Sequence, residues 1–299
     1  MAAQRVLNVE ARTRQTRGQG VGSVVIQFAR QKPMGAVGGA IVLVTCATAI
    51  LASAVAPYDP YQTNVDRLLQ PPGGEFILGS DFLGRDILSR IMHGSRISLY
   101  IAAMSVLSTQ IAGGVLGLVS GYFGGKTDMV IQRVMDALMA FPTLVLALAI
   151  MAALGPALNN IVLAITIVYT PRTARVIRSA VLGVKASQYI ESARAIGSGA
   201  LRILARHVTP NCMAPAIIIG TANLGIAILV EGSLSFLGAG APPPTPSWGA
   251  MLSGAALNYA EQAPWIAFYP GLALTLLVFG FNLLGDSLRD VLDPRLRAR

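Results

Sequence analysis

Polar and apolar positions along this chain fall into long blocks. Met34 to Ala56 is apolar and uncharged over 23 residues, and about 20 are enough to cross the hydrocarbon of a bilayer. Similar runs cover Ser98–Phe123, Ala137–Leu154, Ile161–Tyr169, Ala214–Phe236 and Ile266–Leu284. The blocks predict an all-α membrane protein with six transmembrane helices. The Ile161–Tyr169 run is the shortest. Beyond Pro171 a stripe of Val176, Ile177, Ala180, Val181 and Val184 continues beside Arg172, Arg175 and Arg178, so one long helix is expected to leave the membrane there. Trp265 and Tyr269 open the last run, where an interfacial aromatic belt would place them.

Two polar blocks carry their own patterns. In SDFLGRDILSRIMHGSRIS, Asp81 and Arg85 lie four apart, as do Asp86 and Arg90, while Leu83, Ile87, Leu88, Ile91 and Met92 share a face. That spacing predicts an amphipathic helix lying along the membrane or the bundle. In SQYIESARAIGSGALRILARHVTPN, Ser187 suits the cap of a short helix with Glu191 near its first turn. Gly197 and Gly199 then form a joint, and Leu201, Leu204, Ala205 and Val208 line one face of a second helix with Arg202 and Arg206 behind. Pro210 is expected to end that helix, since proline has no amide to continue it. Along the second run and just past its end, Gly113, Gly117, Gly121 and Gly125 recur every four residues, a small-residue stripe suited to close helix packing.

Composition agrees with a membrane protein. Charged residues make up 12% and apolar residues 54% of the 299, whereas soluble domains carry about 25% charged residues. The net charge of +9 is no nucleic-acid footprint, because the basic residues gather at the ends of apolar runs. Of 23 Lys and Arg, nineteen lie in the N-terminal tail, in 124–136, in 171–212 and after Leu288; only Arg67, Arg85, Arg90 and Arg96 fall in the other loops. By the positive-inside rule both termini and the 187–211 loop face the cytoplasm, and the short fourth run is needed for that parity. Ala52-Ser53-Ala54 resembles a signal cleavage site, but the apolar run is too long and its preceding tail too extended.

Candidate chemistry is sparse. GGKT at Gly124–Thr127 ends like a phosphate-binding loop, yet Gly121 leaves only three residues where four are needed, and a membrane helix stands where a strand should. Cys46 and Cys212 form no framework, and no His, Cys, Asp and Glu set has ligand spacing, so no metal is expected. His93 and His207 suit interface positions. No catalytic residues are expected: the chain shows no nucleophile–base pair.

Glu191-Ser-Ala193, three residues, Gly197, twelve residues and Pro210 resembles the EAA loop of the membrane-spanning subunits of ABC importers. Ser192 departs from that pattern, as do His207 and Thr209 at the closing hydrophobic positions. The resemblance implies that Glu191, Ala193, Gly197, Leu201, Arg202 and Pro210 belong to a loop that docks on a separate ATPase subunit. Two further stretches, SDFLGRDILSR and EGSLSFLG…PPTPSWG, resemble the C-type permease subunits of dipeptide, oligopeptide and nickel importers. In that family the fifth span lines the translocation path near its outer end. Glu231 is the single acid inside an apolar run, where an ionisable group is costly. It suits a pathway wall, a solvated place near the outer surface, or a pairing with a partner subunit. Asn223, Ser233 and Ser235 on the same run are further lining candidates.

The resemblance implies a type I ABC importer transmembrane domain in a bacterial inner membrane. Its parts would be a cytoplasmic tail (1–33), a first span (34–56), an extracytoplasmic segment with the amphipathic helix (57–97), a five-helix core (98–288) holding the 187–211 loop, and a cytoplasmic tail (289–299). A homologous second permease chain, two ATPase subunits carrying ATP and Mg, and an extracytoplasmic solute-binding protein are the implied partners, besides the bilayer itself. Di- or oligopeptides, or a similar small solute, are the implied cargo. A stand-alone transporter or channel driven by an ion gradient is the alternative, although no paired internal repeat supports it.

Overall fold

The computed structural model describes residues 29–292, so most of the N-terminal tail and the last seven positions lie outside the described residues. Eleven named helices run in chain order: α1 (Pro33–Val55), α2 (Ile87–Phe123), α3 (Gly125–Met139), α4 (Thr143–Leu154), α5 (Leu158–Lys185), α6 (Gln188–Ala195), α7 (Ala200–Ile203), α8 (Thr209–Phe236), α9 (Trp248–Met251), α10 (Gly254–Asn258) and α11 (Trp265–Leu292). Among the described residues, bridging between extended segments is confined to isolated pairs at Gly73–Phe76 and Ser80–Asp86.

Four helical stretches are long and apolar enough to cross a membrane: α1, α2, α11 and the continuous path Ala200–Phe236. Six single spans were expected, and two of them differ. The Ala137–Leu154 run is not one helix: α3 and α4 meet at a 91° bend, and count as a fifth crossing only when taken together. Pro142 explains the break, because its ring drives the preceding Phe141 out of helical geometry. The fourth expected span lies in α5, a helix of 28 residues, but Arg172, Arg175, Arg178 and Lys185 charge its second half.

In hydrocarbon, apolar contact between helices gives little net drive, so close packing and polar contacts hold a bundle together. The α2–α5 pair shows the first. A methyl group on Gly113 would stand 2.7 Å from Thr173 Cβ, one on Gly117 2.5 Å from Ala174 O, and one on Gly121 2.8 Å from Val181 Cβ. Gly125, the last glycine of the repeat, lies past the helix end at Gly124 and has open space around it. Ile101, Ile161, Ile165, Ile228, Leu234 and Leu277 fill the core shared by α2, α5, α8 and α11.

Arg96 shows the second kind of contact. From α2 it reaches the last turns of α1, giving Nε–H to Ala49 O, Nη2–H to Ile50 O at 3.0 Å and Nη1–H to Ser53 Oγ at 2.8 Å. A cation near the carbonyl end of a helix is favoured by the helix dipole. At its other end α1 is tied to α11 by the Lys32–Asp290 pair at 2.6 Å. Arg96→Leu is expected to loosen the final turns of α1 and cost about 1.5–3 kcal/mol, the range for hydrogen bonds to a charged group. A lower unfolding midpoint in detergent and faster proteolysis after Ala49 would report it; unchanged values for both would exclude the clasp.

At the end of the bundle where α2 begins, a cap is built from 57–86 and 237–264. Here the expected amphipathic helix over Asp81–Arg96 is replaced by a tight loop followed by the start of α2 at Ile87. The two aspartates are spent on backbone amides. Asp81 Oδ1 accepts from Leu83 N at 2.8 Å and Arg85 N at 3.0 Å, an Asx turn, and Asp86 Oδ2 accepts from Ser89 N at 2.8 Å as the helix cap. Gly84 is required in that turn: its φ is +71° and a side chain there would collide with Asn64 O. Trp248 and Trp265 pin the cap by donating to Ile91 O at 3.0 Å and Ser80 O at 3.2 Å.

Candidate coupling loop and buried polar cluster

At the opposite end, α6 and α7 form a helical hairpin on the tips of α2 and α5. Ser187 stands at the N-cap of α6 with extended backbone, but its hydroxyl donates back to Val184 O at 2.5 Å and does not accept from the helix. Ile190 and Ala193 turn inward and join Ile203, Val208 and Cys212 against Tyr122, Ile177 and Val181. Gly197 makes the turn with φ +80°, its amide bonded to Arg194 O at 2.9 Å, and Ser198 N bonds Ala193 O at 3.0 Å. An L residue rarely holds that conformation, which is why glycine is needed there.

The second half departs from expectation in two ways. Pro210 does not end the helix. Residues Leu204–Val208 form a wide π turn in which Thr209 N reaches back to Leu204 O, and α8 continues straight through the proline. The wider turn leaves room for a ring that cannot donate, and the Thr209 hydroxyl adds a bond to Leu204 O at 2.9 Å. The extra residue per turn also moves the packed face. Ile203 and Val208, five apart, are buried, whereas Leu201 is 74% exposed and Ala205 is exposed. Glu191, Arg202 and Pro210 are likewise exposed, so the rim of the hairpin presents Tyr189, Ile196 and Leu201 beside charged groups.

Beneath the hairpin the basic residues divide. Arg178 gives both Nε–H and Nη2–H to Asp128, at 2.7 and 2.5 Å, and Asp128 also accepts from Ser120. Arg175 pairs with Asp136, and Lys185 donates to Tyr122 O at 2.7 Å. These contacts fasten α3 and α5 to the end of α2.

Glu231 sits near the cap end of α8 with no exposed surface. Ser98 of α2 donates to Oε2 at 3.1 Å and Ser235 donates to Oε1 at 2.9 Å. Ser247, just before α9, reaches Ser235 at 3.5 Å and accepts from Ala250 N at 3.2 Å. A buried carboxyl is tolerated when its oxygens are bonded, and here it ties α2, α8 and the cap. Of the expected lining residues, Glu231 and Ser235 come together. Ser233 lies on another face, in an apolar cavity of about 400 Å³ with Leu144, Leu229 and Phe236. Asn223 is deeper, bonded through Nδ2 to Thr173 Oγ1 at 3.3 Å. Ser98 and Ser247 were not picked out from the sequence, where nothing about single serines at run ends singles them out.

Glu231→Ala would strip the partner from two buried hydroxyls and is expected to cost about 1–3 kcal/mol. Glu231→Gln keeps an acceptor for one serine and should cost less. Thermal unfolding of both variants in detergent tests the order, and equal losses would refute the bonding role.

Four helical stretches long and apolar enough to cross a membrane, with the bent α3–α4 pair as a fifth crossing when taken together, define a multi-pass membrane protein. The chain belongs to the family described as binding-protein-dependent transport system inner membrane component, matched over residues 113–298, and is a permease subunit of an ABC importer. Residues 24–72 match the N-terminal TM domain of oligopeptide transport permease C. The chain is 46% identical over 277 residues to the di/tripeptide transport system permease protein DppC of Pseudomonas aeruginosa, covering 90% of each chain. It is 45% identical to the dipeptide transport system permease protein DppC of Escherichia coli, covering 90% of this chain and 91% of that one. In fold it is similar to a chain of the inward-facing MetNI methionine ABC transporter, with a TM-score of 0.56, 18% identity, and coverage of 68% of this chain and 96% of that chain. The fold is thus that of type I ABC importer transmembrane chains.

Proposed function

We propose that this permease carries peptides across a bacterial inner membrane as one half of a pathway completed by a homologous second permease. Peptide cargo is supported by the names of its relatives, which are di- and tripeptide permeases. The chain crosses six times, with the bent α3–α4 pair as the third crossing and α5 as the fourth, and both termini are cytoplasmic. Nineteen of the 23 basic residues then lie on the cytoplasmic side. The cap of 57–86 and 237–264 faces outward, where a solute-binding protein would deliver cargo.

The α6–α7 hairpin docks on one of two ATPase subunits, which hold the ATP and Mg; the permease itself does no chemistry. The observation that carries this role is the uncovered apolar rim, with Ile196 82% and Leu201 74% exposed beside Glu191 and Arg202 on a loop that its own core packs only from behind. Large exposed apolar side chains rimmed by polar ones mark an interaction surface. The unbroken helical path Ala200–Phe236 runs from the hairpin to the cap. A push on the hairpin is therefore delivered to Glu231 and Ser235 along one rod, and biases the bundle between two packings.

The test is binding-protein-stimulated ATP hydrolysis and peptide uptake by the four-subunit complex in lipid. Stimulated hydrolysis with uptake of dipeptides is the expected result. ATP turnover indifferent to this chain would overturn the coupling role, and stimulation without peptide uptake would overturn the cargo.

A further inference from the structure

The cap encloses a cavity of about 360 Å³ between the Asp81–Ile87 loop, the Ala241–Thr245 segment, α9 and the start of α11. We infer that it is a binding site for a carboxylate carried on an apolar body, the carboxyl terminus of a short peptide, with Arg90 and Arg85 as anchors. The inference rests on the peptide-cargo reading above.

Two arginines and one aspartate line the cavity. Asp81 is already occupied: Oδ1 serves the amides of Leu83 and Arg85, and Oδ2 accepts Arg85 Nε–H at 2.7 Å. The neighbouring acid, Asp86, gives its Oδ2 to the amide and hydroxyl of Ser89. Arg90 is 5% exposed, yet its guanidinium is only partly satisfied. Nη1 donates to Pro60 O at 2.9 Å, while Nε has no hydrogen-bond partner among the described residues and stands 3.7 Å from Asp81 Oδ2. A buried, incompletely paired cation is costly to keep. One aspartate between two guanidinium groups leaves the lining with one positive charge to spare.

The shortfall selects an anion of single charge, and the planar donor fork of arginine matches a carboxylate. A cation is disfavoured, because the one acceptor position left on Asp81 Oδ2 lies between two guanidinium groups. The remaining walls, Phe82, Ile87, Pro243, Pro244, Met251 and Ile266, are mostly apolar and suit an apolar side chain next to the carboxylate. A peptide released at the outer face would be held here by its last residue before it enters the bundle.

The experiment uses the complete complex in nanodiscs of neutral lipid without binding protein, and measures binding of Ala-Phe and of its C-terminal amide. Ala-Phe is expected to bind and the amide to bind at least about tenfold more weakly, the loss of one charge-assisted anchor. Arg90→Gln should weaken Ala-Phe binding by a similar factor. Ala250→Leu, which fills the cavity and leaves both arginines in place, should do the same and covers the case in which Arg90→Gln fails to assemble.

Equal binding of peptide and amide, or unchanged binding in an assembled Ala250→Leu complex, would overturn the site. Peptide uptake with binding protein but no peptide binding to the permease would also overturn it, while leaving the cargo reading intact. If Arg90→Gln then abolishes docking of the binding protein, the arginines instead receive an acidic side chain of that protein, and the site is refuted. Failure of the wild-type complex to take up any peptide would remove the cargo reading and this inference with it. Ala-Phe displaced by phosphatidylglycerol in the nanodisc would reassign the anion to a lipid headgroup.

Discussion

Gly197→Pro is expected to abolish stimulation of ATP hydrolysis by the binding protein while the complex still assembles. Gly197 holds φ +80° and donates its amide to Arg194 O. Proline fixes φ near −65° and has no amide, so neither feature survives. Loss of the turn costs about 3 kcal/mol or more locally, the scale of proline placed against a helix, and this exceeds what a two-helix hairpin of about twelve helical residues can absorb on its own. The bundle should be spared, because nothing beyond its two chain neighbours lies within 4 Å of where a Gly197 side chain would begin. The damage is therefore conformational and confined to the rim that carries Ile196 and Leu201. Co-purification of all subunits with flat ATP turnover is the expected pair of readings. Retained stimulation in an assembled Gly197→Pro complex would show that the hairpin's shape is not the lever.

What the sequence made legible was set by length and period. A run of 23 uncharged residues predicts α1 almost to the residue, because crossing hydrocarbon needs a fixed number of apolar positions. Local alternatives open to polar groups were less readable. Asp81–Arg85 and Asp86–Arg90 have helical spacing, but aspartate also caps and turns: the amides of Leu83 and Arg85 take one oxygen of Asp81, whose other oxygen keeps the Arg85 pair, and Asp86 caps α2 at Ser89. Pro142 and Pro210 look equivalent in sequence. One produces a 91° bend, and the other is absorbed by a π turn whose extra residue rotates Leu201 out of the packed face. That difference comes from the packing around each proline, which no local pattern encodes. Glu231 could be flagged as a lone acid, yet its partner Ser98 lies 133 residues before it, and Ser247, which bonds its other partner Ser235, lies 16 after it, joined only by the fold.

Gly117→Leu is expected to do the greatest harm to the folded chain. A first side-chain carbon at Gly117 would stand 2.5 Å from Ala174 O and 2.9 Å from Ile177 Cβ. The carbonyl belongs to the backbone of α5 and cannot swing aside as a side chain could, so the two helices must part. Parting them also opens the contacts at Gly113 and Gly121, where Thr173 and Val181 would stand at 2.7 and 2.8 Å. Overpacking of a tight interface costs about 1–3 kcal/mol and sometimes more, and in hydrocarbon no water is released to offset the lost packing. Gly114→Leu supplies the contrast: it lies on the same helix, nothing lies within 4 Å of its added carbon, and leucine is the better helix former by about 1 kcal/mol. The unfolding midpoint of the chain in detergent should fall by several degrees or more for Gly117→Leu and hold or rise for Gly114→Leu. Similar midpoints for the two variants would mean that the α2–α5 contact is not what holds the bundle.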